Sequence, residues 1–355
     1  MPLPVRYVAA ALAATTLAAA GFAAAQSADE PITMAREVVA AAVAFQDYAA
    51  RASTTSTSFK DAKGVREATI AGAAYEVGQL QQGMIAYGAM AAAQDDRFVD
   101  GINRAAQGPA ERRALAAQLM ANPDTVMQIE GALGAGRRVQ AALQRPGEQL
   151  VAQGKKLERA SYDVQRQSWS KVRSSTTARL AEVKLLSATR AAFRDGDEAR
   201  LIKDLIERPR AEGSGAVTPV VARALALAAV AVLGEARTQD MPRMSAIFTD
   251  IGSAACLKMS KLMLNQCMAV ASPQYESIYC LGVHAIGDTG QCVVKAAAGR
   301  APGPIYPTVM AAGGAATWQT ASTAGAYQSA SPFAPASISD LLDRPTSRVR
   351  TLRAD

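Results

Sequence analysis

The sequence predicts an all-α protein, a multi-helix bundle of two helical subdomains, the C-terminal one stapled by disulfides and followed by a disordered tail. Three observations carry this. Apolar residues recur at three- and four-residue spacing through most of residues 31–298, the period of a helix with one buried face. Ala makes up roughly a fifth of the chain while aromatics are 5%, a composition of thin side chains suited to close helix packing. All four cysteines fall between Cys256 and Cys292, spaced C-x10-C-x12-C-x11-C.

The chain opens with a basic residue, Arg6, an apolar Ala/Leu/Val run from Val8, and Ala23-Ala24-Ala25 before Gln26. These are the parts of a secretory signal peptide with a small-x-small cleavage site. Residues 1–25 are therefore read as a leader removed near Ala25, which places the protein in the periplasm or outside the cell. No cysteine follows the cleavage site, so a lipid anchor is not expected. An uncleaved leader would instead make a membrane-bound regulator. Without Arg6 the formal charge of +7 becomes +6. In an exported protein this excess points away from nucleic acid and toward anionic envelope surfaces or plain colloidal stability.

From Pro31 to about Arg51 the positions Met34, Val38, Val39, Ala42, Val43 and Phe45 form a helical stripe, with Pro31 where a first turn tolerates it. A Ser/Thr spacer leads to a second helix from about Asp61 to Ala93. Its Gly72, Gly78, Gly83 and Gly88 read as close helix approaches, since no strand precedes them to make a phosphate-binding turn. Asp95-Asp96, Gly108-Pro109 and Asn122-Pro123-Asp124 are helix-start signals that divide residues 95–143 into three short helices. Pro146 then opens the longest run, to about Phe193. Its polar face carries Lys155, Lys156, Arg159, Arg166, Lys171, Arg173, Arg179 and Lys184, and the first six of these are the candidate binding residues for an acidic partner or surface. A further helix follows Asp195-Gly196-Asp197 and ends near Arg208.

The expected domains are a bundle over 26–208, a linker over 209–219, a Cys-containing subdomain over 220–298 and a tail over 299–355 rich in Pro, Ala, Ser and Gly. Val220 to Leu233 is nearly all apolar but shorter than the roughly 20 residues a bilayer needs, so it reads as a buried helix. Met241 to Met268 carries Met244, Ile247, Phe248, Ile251, Leu257, Met259, Leu262, Met263 and Met268. Methionines of this kind usually fill gaps in a core, and sometimes line an adaptable groove.

For the cysteines, an eleven-residue step on a helix returns to nearly the same face but about 16 Å along the axis, too far for a disulfide. Cys256 and Cys267 therefore do not pair within one helix. Folding the segment back near Pro273 pairs Cys267 with Cys280 and Cys256 with Cys292, nested. Four cysteines allow three connectivities, and Gly287-Asp288-Thr289-Gly290 leaves a Cys280–Cys292 loop open. The spacing resembles the twin-CX9C helical hairpins, with different intervals.

With the thiols oxidised and His284 the only histidine, neither a metal site nor a Cys-His nucleophile is expected, and no cofactor. Glu276-Ser277 followed by Gly287-Asp288-Thr289-Gly290-Gln291 resembles the lytic transglycosylases, α-helical envelope enzymes with a catalytic Glu-Ser pair. That resemblance implies Glu276 as the general acid of peptidoglycan cleavage. It spans about sixteen residues, and the Gly-Leu-Met-Gln pattern expected after the glycines is absent. The leading expectation is a non-enzymatic envelope protein that binds another protein or an anionic surface, with Glu276-dependent cell-wall cleavage as the alternative.

Overall fold

The computed structural model describes residues 32–207, 213 and 216–299. The leader at 1–25, most of the linker at 209–219 and the tail beyond Gly299 lie outside these residues. The described chain is helical: α1 Arg36–Ser53, α2 Ala62–Ala73, α3 Val77–Ala92, α4 Asp96–Ala105, α5 Pro109–Ala121, α6 Ala132–Asp163, α7 Thr176–Ala188, α8 Asp197–Glu207, α9 Pro219–Val232, α10 Ile251–Val270, α11 Gln274–Cys280 and α12 Asp288–Ala298. A π-helical segment, Leu281–Gly287, joins α11 to α12 without a break. The described residues contain no β-strand, only an isolated antiparallel bridge between Arg173 and Pro273.

α9 organises the interior. Eleven of its fourteen residues are buried, on every side of the helix, so it needs cover all round. It gets that cover from α3, α5 and α6 of the first half and α12 of the second. The two halves expected on either side of residues 209–219 thus share one core, which runs from Ala35 to Ala297.

Three element boundaries differ from the sequence reading. Asp61 to Ala93 forms two helices, because the Glu76 carboxylate accepts the Gly78 and Gln79 N–H groups at 2.7 and 2.8 Å and so caps a new helix. The run after Asn122 is only a 3₁₀ turn, Pro123–Gln128. The long basic helix does not begin at Pro146. It begins at Ala132, after Gly131 at φ 85°, carries Pro146 buried in its interior, and ends at Asp163.

What stops it is Ser170, whose hydroxyl donates to the Val164 carbonyl at 2.5 Å and the Gln167 carbonyl at 2.9 Å. Local side-chain bonds of this kind compete with the helix ladder. α7 restarts only where Ser175 Oγ accepts the Ala178 N–H at 3.2 Å.

Candidate functional site

The cysteine-bearing hairpin is built as its spacing predicts. Cys256 bonds Cys292 and Cys267 bonds Cys280, with Cα–Cα distances of 5.7 and 5.6 Å. α10 forms one arm, and α11, the π segment and α12 form the other, with the turn at Ser272-Pro273. An eleven-residue step on α10 turns about 20° from the starting face, whereas the twelve-residue step from Cys280 to Cys292 turns about 120°. The π segment removes this mismatch. A π turn accommodates one extra residue, so both cysteines of the second arm face α10.

The second arm lies against α6 at backbone distance. A methyl group on Gly290 would fall 2.7 Å from the Val151 nitrogen and 2.8 Å from the Gly147 oxygen, and one on Gly154 would fall 2.7 Å from the Gly287 Cα. Only glycine permits that approach. Gly72, Gly83 and Gly88 likewise mark tight crossings: methyls there would meet Leu281, Phe45 and Val139 at 2.6 to 2.8 Å. Gly78 does not, since its nearest neighbour is the Glu76 cap.

Beneath the π segment lies a buried polar cluster. The Ser260 hydroxyl donates to the His284 carbonyl at 2.7 Å and the Tyr48 hydroxyl to the Ala285 carbonyl at 3.0 Å. Thr289 Oγ1 lies 2.9 Å from Ser260 Oγ and 2.7 Å from the Tyr75 hydroxyl. His284 is buried, with Nδ1 2.9 Å from Asp288 Oδ2. Lys261 Nζ donates to the Ala73 carbonyl at 2.5 Å and sits 3.4 Å from the Tyr75 ring centroid. It thereby closes the C-terminal end of α2, where a cation is favoured by the helix dipole. Burial nevertheless pushes its ammonium well below the ordinary 10.5, with the Glu76 charge acting the other way. Burial also raises the Tyr75 phenol to about 12. Apart from His284, Asp288 and Thr289, these residues carried no spacing signal that sequence reasoning could use.

The outer face of α10 is the unusual surface. At about 100° per residue, its buried residues Ser253, Leu257, Ser260, Lys261, Leu264 and Met268 occupy one side. The opposite side carries Ile251, Gly252, Ala255, Lys258, Met259, Leu262, Met263, Gln266, Ala269 and Val270, all exposed. Ile251 is 82% exposed, Val270 78%, Met259 55%, Leu262 47% and Met263 37%, five of the nine exposed large apolar side chains among the described residues. The methionine-rich arm is therefore divided. Met244, Ile247, Phe248, Leu257 and Met268 fill the core, while Met259 and Met263 face out.

The six basic candidates do not form one face. Lys155, Lys156 and Arg159 lie exposed on the last turns of α6; Arg166, Lys171 and Arg173 lie exposed on the irregular segment after it. Arg173 is engaged, with Nε donating to Ser272 Oγ at 2.9 Å. Arg179 is a clasp: its guanidinium donates to the Ala271 and Ser272 carbonyls at 2.9 and 3.1 Å and to the hydroxyls of Ser174 and Ser277.

Glu276 sits half-buried in the first turn of α11 with Oε2 accepting the Ser272 N–H at 2.8 Å. A cleft of about 280 Å³ between α2, α7 and α11 is lined by its neighbours Gln274 and Ser277, with Arg66, Thr69, Arg179 and Glu182. Among the described residues no three His, Cys, Asp or Glu side chains stand together as a metal site. No described helix is long and apolar enough to cross a membrane.

No protein-family model, no curated protein and no solved structure matches this chain.

Proposed function

We propose that this is an exported, non-enzymatic helical binding protein that presents the outer face of α10 to a partner protein in the cell envelope. One observation carries the reading: the solvent side of a twenty-residue helix is apolar from Ile251 to Val270, relieved only by Lys258 and Gln266. Water-facing helix sides are normally polar, and a helix apolar all round is normally covered. The partner this surface fits is a protein offering an apolar helix face, laid along α10 as a helix in a groove. Adaptable Met259 and Met263 at its centre suit such packing.

The periplasmic address rests on the leader and on two disulfides, which persist in oxidising compartments. A protein is favoured over an anionic membrane because Lys258 is the only cation on the stripe, where an interfacial helix would carry a basic polar face. Binding is favoured over cell-wall cleavage because Glu276 Oε2 is engaged with the Ser272 N–H, whereas a general acid must present its proton to the scissile oxygen.

Site-specific photocrosslinking in exporting cells tests the reading. A crosslinker at Met259 or Leu262 captures a protein, whereas one at Lys155 or Arg166 captures none. Capture from the basic positions alone, or release of muropeptides by the purified protein with loss in Glu276→Gln, would refute it.

A further inference from the structure

The ten exposed residues of α10 are arranged symmetrically about the point between Ser260 and Lys261. Any straight helical stripe has a symmetric burial pattern, so the information lies in which residue types are matched. Ile251 mirrors Val270, Gly252 mirrors Ala269, and Met259 mirrors Leu262. Large apolar side chains stand opposite each other at both ends and at the centre, and one small pair, Gly252 and Ala269, stands beside the ends. Ala255 mirrors Gln266 and Lys258 mirrors Met263, so the one charge meets an apolar side chain and not its own copy.

From this we infer that the partner of the α10 face is a second copy of this chain, paired antiparallel across a two-fold axis that passes between Ser260 and Lys261. The inference rests on α10 being the interaction face, and it names the occupant. A two-fold interface is isologous: if residue i touches residue j, then j touches i. In this pairing each Ile251 lies on the other copy's Val270 and each Met259 on its Leu262.

Gly252 and Ala269 leave room for the two backbones to approach near the helix ends. The two Lys258 groups are offset by five residues, about 7.5 Å along the axis, so their ammonium groups reach water at opposite edges of the seam. The surface asks for no acidic partner, which a foreign protein would have to supply if charge set the specificity. A single pair of helices about 30 Å long covers less than the roughly 800 Å² per partner of a standard interface, so the dimer dissociates on dilution.

The test uses the full exported chain with its disulfides intact, in sedimentation velocity over a wide concentration range. A reversible dimer is expected, and Leu262→Asp or Met259→Asp, both on the exposed face, weakens it about a hundredfold or more while circular dichroism stays unchanged. Register is read separately: Ala255→Cys mixed with Gln266→Cys gives a disulfide-linked dimer under mild oxidation, and neither variant links to itself.

A monomer at every concentration overturns the inference, as does a dimer indifferent to both substitutions. So does a bond between Cys at 255 and a cysteine placed at Leu341 of the same chain, which would make the tail sequence Ser-Ile-Ser-Asp-Leu-Leu-Asp at 337–343 the occupant. If the chain is monomeric yet photocrosslinking at Met259 still captures another protein, self-pairing fails and the binding function stands. If the crosslinker captures nothing, both fail.

Discussion

Cys280 and Cys292 are twelve residues apart, yet both meet cysteines that are eleven apart on α10, at Cα–Cα distances of 5.6 and 5.7 Å. The π segment Leu281–Gly287 makes this possible by taking up one residue. Its inward carbonyls at His284 and Ala285 receive the Ser260 and Tyr48 hydroxyls. Register, staple and polar cluster are therefore one construction.

The register makes a direct prediction. Deleting Ala285 converts the segment to ordinary α-helix and leaves both disulfides in phase, whereas inserting one Ala beside it turns Cys292 about 100° further from Cys256 and costs the outer bond. In the chain-entropy account the outer loop is worth about 4 kcal/mol and the inner about 3 kcal/mol. Non-reducing peptide mapping with denaturant unfolding checks both. An insertion variant with two native disulfides and unchanged stability would show that register is not what the π segment supplies.

The nested pairing was legible because it needs only helix geometry and the turn at Pro273. The glycine approaches were legible as a class for the same reason. The break at Ala74–Glu76 and the stop at Val164 were not, because each depends on one side chain, Glu76 or Ser170, bonding to backbone that a periodicity count treats as helix. Pro146 misled for a related reason. A proline at a helix start and one inside a helix look alike when the residues before it, from Ala132 onward, also keep helical spacing. The outer face of α10 was hidden for a different cause: Ser253, Ser260 and Lys261 lie on the buried side and Ile251, Met259, Leu262 and Val270 on the exposed one, so apolar periodicity does not say which side is core.

The glycine contact between α6 and α12 gives substitutions of opposite sign. A Cβ on Gly290 meets the fixed backbone of Val151 and Gly147, so Gly290→Ala costs about 3 kcal/mol, the upper end of overpacking penalties. Gly134, exposed on α6 with only Asp95 Oδ2 at 3.8 Å from its Cβ site, gains up to about 1 kcal/mol on change to Ala. Urea unfolding of the two variants side by side decides the matter. Equal effects would mean that the close approach is not as tight as described.

Lys261 and Tyr75 predict a stability profile with a turning point. Below 10.5 the unfolded chain takes up a proton that the buried Lys261 resists, so stability falls as pH drops from 10.5 toward its lowered folded value. Tyr75 works the other way. Folded, it keeps its proton to about 12, whereas the unfolded phenol loses it near 10.0, so stability falls as pH rises from 10.0 to about 12. Thermal midpoints between pH 8 and 11 should rise and then fall. Lys261→Met removes the rise, and Tyr75→Phe reduces the fall while Tyr48, also raised by burial, maintains part of it. Parallel profiles for all three proteins would mean that neither group titrates across folding.

The cations between residues 155 and 179 separate by what they touch. Arg179 closes the hairpin turn through two backbone carbonyls and two hydroxyls, and burial lowers its guanidinium below its ordinary value while Glu276 opposes the shift. Removing it takes the guanidinium from the Ala271 carbonyl and leaves the Ser272 carbonyl with only the Ser174 N–H at 3.2 Å, so Arg179→Met costs about 2 kcal/mol and opens the Ser272-Pro273 turn to proteolysis. Lys155, Lys156 and Arg159 are exposed, and changing each to Glu shifts stability by no more than about 0.5 kcal/mol. The same triple change leaves capture at Met259 intact if α10 is the face that binds. If it abolishes that capture, or if binding to vesicles of anionic lipid disappears with it, the basic end of α6 and not α10 is the working surface.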